Sequence, residues 1–132
     1  MKKSRLITSA ATALLVLTAG LAAATPAGAA GAADCPVGEF CAWTELDYAG
    51  HRAGWAGDDS WWDGFIADQD SSWANHAVSG PGIADHVKVY EDPNTPLDEA
   101  GDVTICLAPG QEVSGNATAN DRGDSHTWAT SC

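Results

Sequence analysis

Apolar and polar positions alternate in short runs from residue 34 onward. In His86-Val87-Lys88-Val89-Tyr90 the two valines point one way and the other three side chains point the other. Residues 102–108 repeat the pattern, with Val103, Ile105 and Leu107 set against Thr104 and Cys106. Residues 39–44, 51–57 and 125–130 are further runs rich in β-type residues. Clusters of Gly, Asp, Asn, Ser and Pro at 56–64, 79–82, 91–96, 108–111 and 120–124 interrupt these runs as turns. No window of a dozen residues keeps a 3.6-residue period. Short strands between frequent turns predict an all-β sandwich.

The pattern also repeats within itself. Residues 41–50 and 87–101 each open as a strand with an aromatic and pass into an acidic turn. Residues 67–73 and 120–128 each give an Asp-rich turn, a serine and then a tryptophan near a strand. Two four-strand units, each burying its apolar face against the other, would fill this stretch.

The first thirty-odd residues read differently. Lys2, Lys3 and Arg5 precede an uncharged apolar run from Leu6 to Ala24, followed by small residues. This predicts a secretory signal peptide over 1–33, cut between Ala29 and Ala33, and a single domain over 34–132. The protein is then expected to be secreted and free of the membrane. All four cysteines, Cys35, Cys41, Cys106 and Cys132, lie in the exported part. An even count in a small secreted chain predicts two disulfides. Of three pairings, Cys35–Cys41 with Cys106–Cys132 is favoured, because the short loop costs least entropy to close.

From Asp34 on, eighteen acidic residues face three basic ones, Arg52, Lys88 and Arg122, a net charge of −15 with histidines neutral. Such a surface repels nucleic acid and anionic lipid, and suits cations or a basic partner. No catalytic motif is present: His51, His76, His86 and His126 are scattered, and disulfides would leave no thiol. The chain therefore reads as a non-enzyme, expected to be monomeric. Trp43, Trp73 and Trp128 fit buried strand positions. Trp61 and Trp62 sit in a polar stretch, and neighbours on a strand face opposite ways. These two are candidate exposed aromatics for a protein partner or a sugar, which would suit a carbohydrate- or cell-wall-binding module.

Trp43-x4-Tyr48-x-Gly50, with Ser72 as the later capping serine, resembles the folded-hairpin signature of βγ-crystallin Greek keys. Cys35-Pro36-x-Gly38-x-x-Cys41 ahead of it resembles the opening of peptidase inhibitor family I36, typified by the Streptomyces metalloproteinase inhibitor. The resemblance implies a Greek-key sandwich of two degenerate repeats. It also implies inhibition of a secreted protease, with a metalloprotease as the target class. By that resemblance, a bond just after a disulfide-bonded cysteine is the reactive one, which nominates Cys106–Leu107. The strand alternation instead turns Leu107 inward.

Crystallin-like domains also carry a calcium clamp, Asn/Asp-Asn/Asp-x-x-Ser/Thr-Ser. Residues 67–72 match it except at Ala67, and residues 120–125 match except at Asp124. The resemblance implies one site from Ser71, the Gln69 carbonyl and Glu91. It implies another from Asp124, the Arg122 carbonyl and the turn at Thr44. By this resemblance calcium is an optional, not a required, cofactor, and the oxygen-rich ligands suit a hard cation.

Overall fold

The computed structural model describes residues 31–132. Most of the expected leader lies outside the described residues. The chain is built from seven strands: β1 (Phe40–Trp43), β2 (Arg52–Trp55), β3 (Ser72–Asn75), β4 (His86–Tyr90), β5 (Val103–Leu107), β6 (Glu112–Val113) and β7 (Ser125–Ala129). They form two antiparallel sheets, ordered β2-β1-β3-β6 and β5-β4-β7. The only helical pieces among the described residues are two 3-10 turns, Ala32–Asp34 and Leu46–Tyr48.

The sheets are stitched by exchange. β6 follows β5 in sequence but pairs with β3, setting Trp73 against Val113. The first repeat returns the exchange through a single bridge from Asp59 to His126 on β7. Each repeat thus completes the other's sheet, as expected of paired Greek keys.

Phe40, Ala42, Trp62, Ile66, Trp73, Val87, Val89 and Leu107 fill the space between the sheets. Leaving them exposed would cost about 1.5–3 kcal/mol for each large side chain. A second cluster lies on the opposite face of β1 and β3. There Ala32, Cys35, Cys41, Trp43 and Ala74 pack together with Tyr48 against them. The N-terminal loop is the lid of this cluster. It is closed by the Cys35–Cys41 disulfide and tied to the end of β3, with Gly38 N–H donating to His76 C=O at 2.7 Å. Ala32 already belongs to it, so ordered packing starts ahead of the expected domain boundary at Asp34. The second disulfide joins Cys106 to Cys132 and ties the C-terminus to β5.

Alternation on β4 is as the sequence reads, with both valines buried. On β5 it slips. The register shifts at Val89/Tyr90, so that Val89 faces Ile105 and Tyr90 faces Val103. Thr104 is the extra residue of this bulge. It turns inward, and Val103 turns outward to 45% exposure instead of joining the core.

Candidate functional site

Both repeats build the same hairpin base. In the first, Thr44 N–H donates to His51 C=O and Glu45 N–H to Ala49 C=O. In the second, Glu91 N–H donates to Asp102 C=O and Asp92 N–H to Ala100 C=O. A serine from the last strand of each repeat closes its base. Ser72 Oγ donates to Glu45 C=O at 2.7 Å, and Ser125 Oγ donates to Asp92 C=O at 2.7 Å. Gly50 and Gly101 take positive φ of 78° and 69° at matching places.

Above the base the hairpins diverge. In the first, three residues separate Glu45 from Ala49, and they fold back. Tyr48 donates its N–H to Ser72 Oγ and meets Trp43 edge-on at 5.3 Å. In the second, seven residues separate Asp92 from Ala100. The four extra residues project as a tight turn. Thr95 and Asp98 exchange backbone hydrogen bonds, and Thr95 Oγ1 accepts the N–H groups of Leu97 and Asp98. Leu97 stands on this turn 94% exposed. The sequence reading did not single it out.

Leu107, by contrast, is fully buried in the inter-sheet core. A side chain there cannot enter a protease pocket without unfolding β5. The Cys106–Leu107 bond is therefore not a presented reactive bond, and the inward alternation of Leu107 is the correct reading. Cys106 itself is half-buried and held by its disulfide.

The two clamps face each other across the repeat boundary. Asp68 N–H donates to Gly123 C=O, and Asp121 N–H donates to Asp70 C=O. Asp68 and Asp121 share the left-handed conformation, at φ 55° and 57°. The Asp70 carboxylate is buried and accepts from Trp73 Nε1 and from the N–H groups of Arg122 and Gly123. Burial raises its pKa despite these donors. Gly123 fits because a Cβ there would meet Trp62 at 2.7 Å and Val89 at 2.9 Å. The Arg122 and Gly123 N–H groups are thus bound within the clamp.

The calcium ligands named from sequence are partly engaged elsewhere. Ser71 is buried, with its N–H on Trp43 C=O, and Gln69 is exposed. Glu91 accepts from Asp102 N–H and from Arg122 Nη2 at 2.6 Å, and these bonds lower its pKa in that order. Arg122 therefore supplies the positive charge beside Glu91. Asp68, Glu91, Asp92 and Arg122 line a shallow polar depression of about 270 Å³. Asp124 borders this region with Oδ1 buried and unpartnered. Burial first, then Asp68, Asp92 and Asp70, push its pKa up to about 6. Among the described residues no group of three His, Cys, Asp or Glu is gathered to hold a metal ion.

The two candidate aromatics separate. Trp62 is buried, stacked on Trp55 at 4.8 Å, with Nε1 donating to His126 Nδ1 at 2.9 Å. It is unavailable to a partner. His126 is thereby the Nε2–H tautomer and donates to Gly57 C=O. Trp61 is 66% exposed. The opposed facing of neighbours explains the split.

The model of peptidase inhibitor family I36 matches residues 28–101. The chain belongs to this family. The match runs through the cysteine loop, the first hairpin, β4 and the Leu97 turn, and ends before β5. Three solved structures share the fold. A βγ-crystallin from an archaeon is 20% identical, with a TM-score of 0.52 over 70% of this chain and 99% of that one. A structure described under the evolution of the eye-lens βγ-crystallin domain fold is 19% identical, with a TM-score of 0.54 over 70% and 87%. A βγ-crystallin from Ciona intestinalis is 18% identical, with a TM-score of 0.50 over 69% and 99%. At these identities the likeness concerns the fold alone. No curated protein matches the sequence. This I36 member is thus a crystallin-type pair of Greek keys whose second hairpin is four residues longer than its first.

Proposed function

We propose that the protein is a secreted inhibitor of an extracellular protease, in the first instance a metalloprotease, and that Leu97 is the side chain it offers. The observation that carries this reading is the Leu97 turn. A large apolar side chain stands exposed on a tip whose backbone is already hydrogen-bonded at base and crown. Leu97 is the most exposed large hydrophobic side chain among the described residues. A preorganised tip loses little conformational entropy on binding, which favours a long-lived complex. Membership of family I36 supports the inhibitory role. Two disulfides and the expected leader support export.

The test is titration of the oxidised domain against secreted proteases that include a thermolysin-like zinc enzyme. Stoichiometric inhibition that Leu97→Gly weakens at least a hundredfold, with unchanged melting temperature, supports the proposal. Equal inhibition by Leu97→Gly refutes the assignment of the tip.

Calcium binding is a second reading, favoured by the unpartnered Asp124 oxygen beside Asp68 and Asp92. A cation there would relieve like-charge repulsion and stabilise the fold by mass action. A melting temperature indifferent to added calcium removes it.

A further inference from the structure

We infer that Trp61 is a second anchor for the same partner, and that the partner's contact face is basic. This rests on the inhibitory reading above. The loop that carries Trp61 is joined directly to the lengthened hairpin, with Asn94 N–H donating to Ser60 C=O at 2.8 Å. Trp61 is the residue after Ser60, and Leu97 is three residues after Asn94. At no more than about 3.6 Å per residue, the two anchors lie within roughly 20 Å of each other. One standard interface of about 800 Å² per partner spans that distance.

The Trp61 loop is fixed before any partner arrives. Asp59 Oδ1 accepts Trp61 N–H, and Asp59 Oδ2 accepts Trp55 Nε1–H at 2.8 Å. The adjacent Trp62 is locked in the core. Trp61 is therefore held outward by the same packing that buries its neighbour. A rigid exposed tryptophan is the residue type most enriched at the energetic centre of protein interfaces. A leucine on a fixed turn beside it makes a two-point apolar contact.

The surroundings define the partner's charge. Residues 56–65 and 91–102 hold eight acidic residues and no lysine or arginine. Arg122, which reaches this area, is held by Glu91. A partner that accepts both anchors meets a uniformly acidic rim, so its complementary rim is basic. Charges at the rim act chiefly on the association rate, while buried anchors act on dissociation.

The experiment measures association and dissociation rates of the full oxidised domain with the protease it inhibits most tightly. Parent, Trp61→Ala, Leu97→Gly and the triple variant Asp63→Asn/Asp98→Asn/Glu99→Gln are compared at low and high salt. Trp61→Ala is expected to raise the dissociation rate ten- to a hundredfold, with the melting temperature unchanged. The triple variant is expected to slow association several-fold at low salt and to weaken the parent's salt dependence. Unchanged rates for Trp61→Ala, with Leu97→Gly inactive, overturn this inference and leave the inhibitory reading intact. Retention of the parent on insoluble polysaccharide, lost in Trp61→Ala while inhibition is unchanged, overturns it in favour of a sugar site. Absence of inhibition by the folded parent overturns both.

Discussion

The two hairpins show how one scaffold element can be turned to stability or to presentation. They share a base of two backbone hydrogen bonds, a capping serine and a glycine at positive φ. The first spends its short crown on itself, since Tyr48 folds back over Trp43 and completes the outer cluster. The second carries four more residues, and its crown turns outward with Leu97 at the tip. In the first crown Tyr48 is partly covered against Trp43 while Leu46 is 55% exposed, so neither crown buries a side chain fully. A leucine at 94% exposure on the second forgoes about 1.5–3 kcal/mol of burial, which fits a role outside the fold.

Two leucines separate stability from binding. Leu107→Ala opens a cavity in the inter-sheet core and is expected to cost about 2–5 kcal/mol in chemical denaturation. Leu97→Ala, on the exposed crown, is expected to change stability by less than about 0.5 kcal/mol. Inhibition should show the reverse order among folded molecules. If Leu97→Ala melts many degrees below the parent, the second crown is structural and the contrast between the hairpins fails.

The glycines come next. Gly50→Ala and Gly101→Ala each place a Cβ in the left-handed region, at about 1–2 kcal/mol. At Gly50 the new atom also meets Thr44 Oγ1, which accepts His51 N–H, and Glu45 Cγ at 2.7 Å. At Gly101 it meets the Asp92 carboxylate oxygen at 2.6 Å and Glu91 Cγ at 2.7 Å. The Asp92 carboxylate can swing into solvent. Denaturant midpoints should therefore fall further for Gly50→Ala. Equal losses would mean that the two bases are equally rigid.

How much of this was legible follows the same physics. β1, β2, β4, β5 and β7 were readable as runs of β-type residues bounded by turns, most clearly where one face is buried. β3 shows no alternation because both of its faces are covered, one by the core and one by the N-terminal loop, so all four residues are buried. β6 is two residues long, too short for any period. Trp43, Tyr48, Gly50 and Ser72 were readable because their roles need specific side chains at fixed spacing. Leu97 was not, since a leucine in a Pro- and Asp-rich turn looks ordinary until the hairpin is measured against its shorter copy. The attraction of Cys106–Leu107 came from a local motif that carries no information about facing. That Arg122 reaches Glu91, one of the calcium candidates, is a tertiary fact no local motif carries.

The serines test the shared base more gently. Ser72 Oγ both donates to Glu45 C=O and accepts Tyr48 N–H, whereas Ser125 Oγ only donates to Asp92 C=O. At about 1 kcal/mol per net hydrogen bond, Ser72→Ala is expected to cost about 1 kcal/mol more than Ser125→Ala. Thermal unfolding of the pair measures this. A larger loss at Ser125 would show that the longer hairpin leans on its cap more heavily than the shorter one.

The smallest effect lies where the clamps differ. Asp124 stands where the first repeat has Ser71, and each donates its N–H to a backbone C=O, of Tyr90 and of Trp43 respectively. The pKa of Asp124 is raised from 3.8 to about 6. A raised folded-state value means that its contribution is fully present below the unfolded pKa and is lost as pH rises through 6. Above that pH the carboxylate sits charged beside Asp68, Asp92 and Asp70. Asp124→Ser, which copies the first repeat, should therefore match the parent near pH 3.5. It should overtake the parent between pH 4 and 6 and stay a few °C above it at pH 7, on the scale of about 1 kcal/mol. His126 works in the opposite direction. Its burial lowers its pKa, so its contribution is present above the ordinary histidine value and is lost on acidification. Parent and variant both carry His126, so the difference between their melting curves isolates Asp124. A difference that does not vary with pH would assign the gain to packing and remove like-charge repulsion as the cost of this clamp.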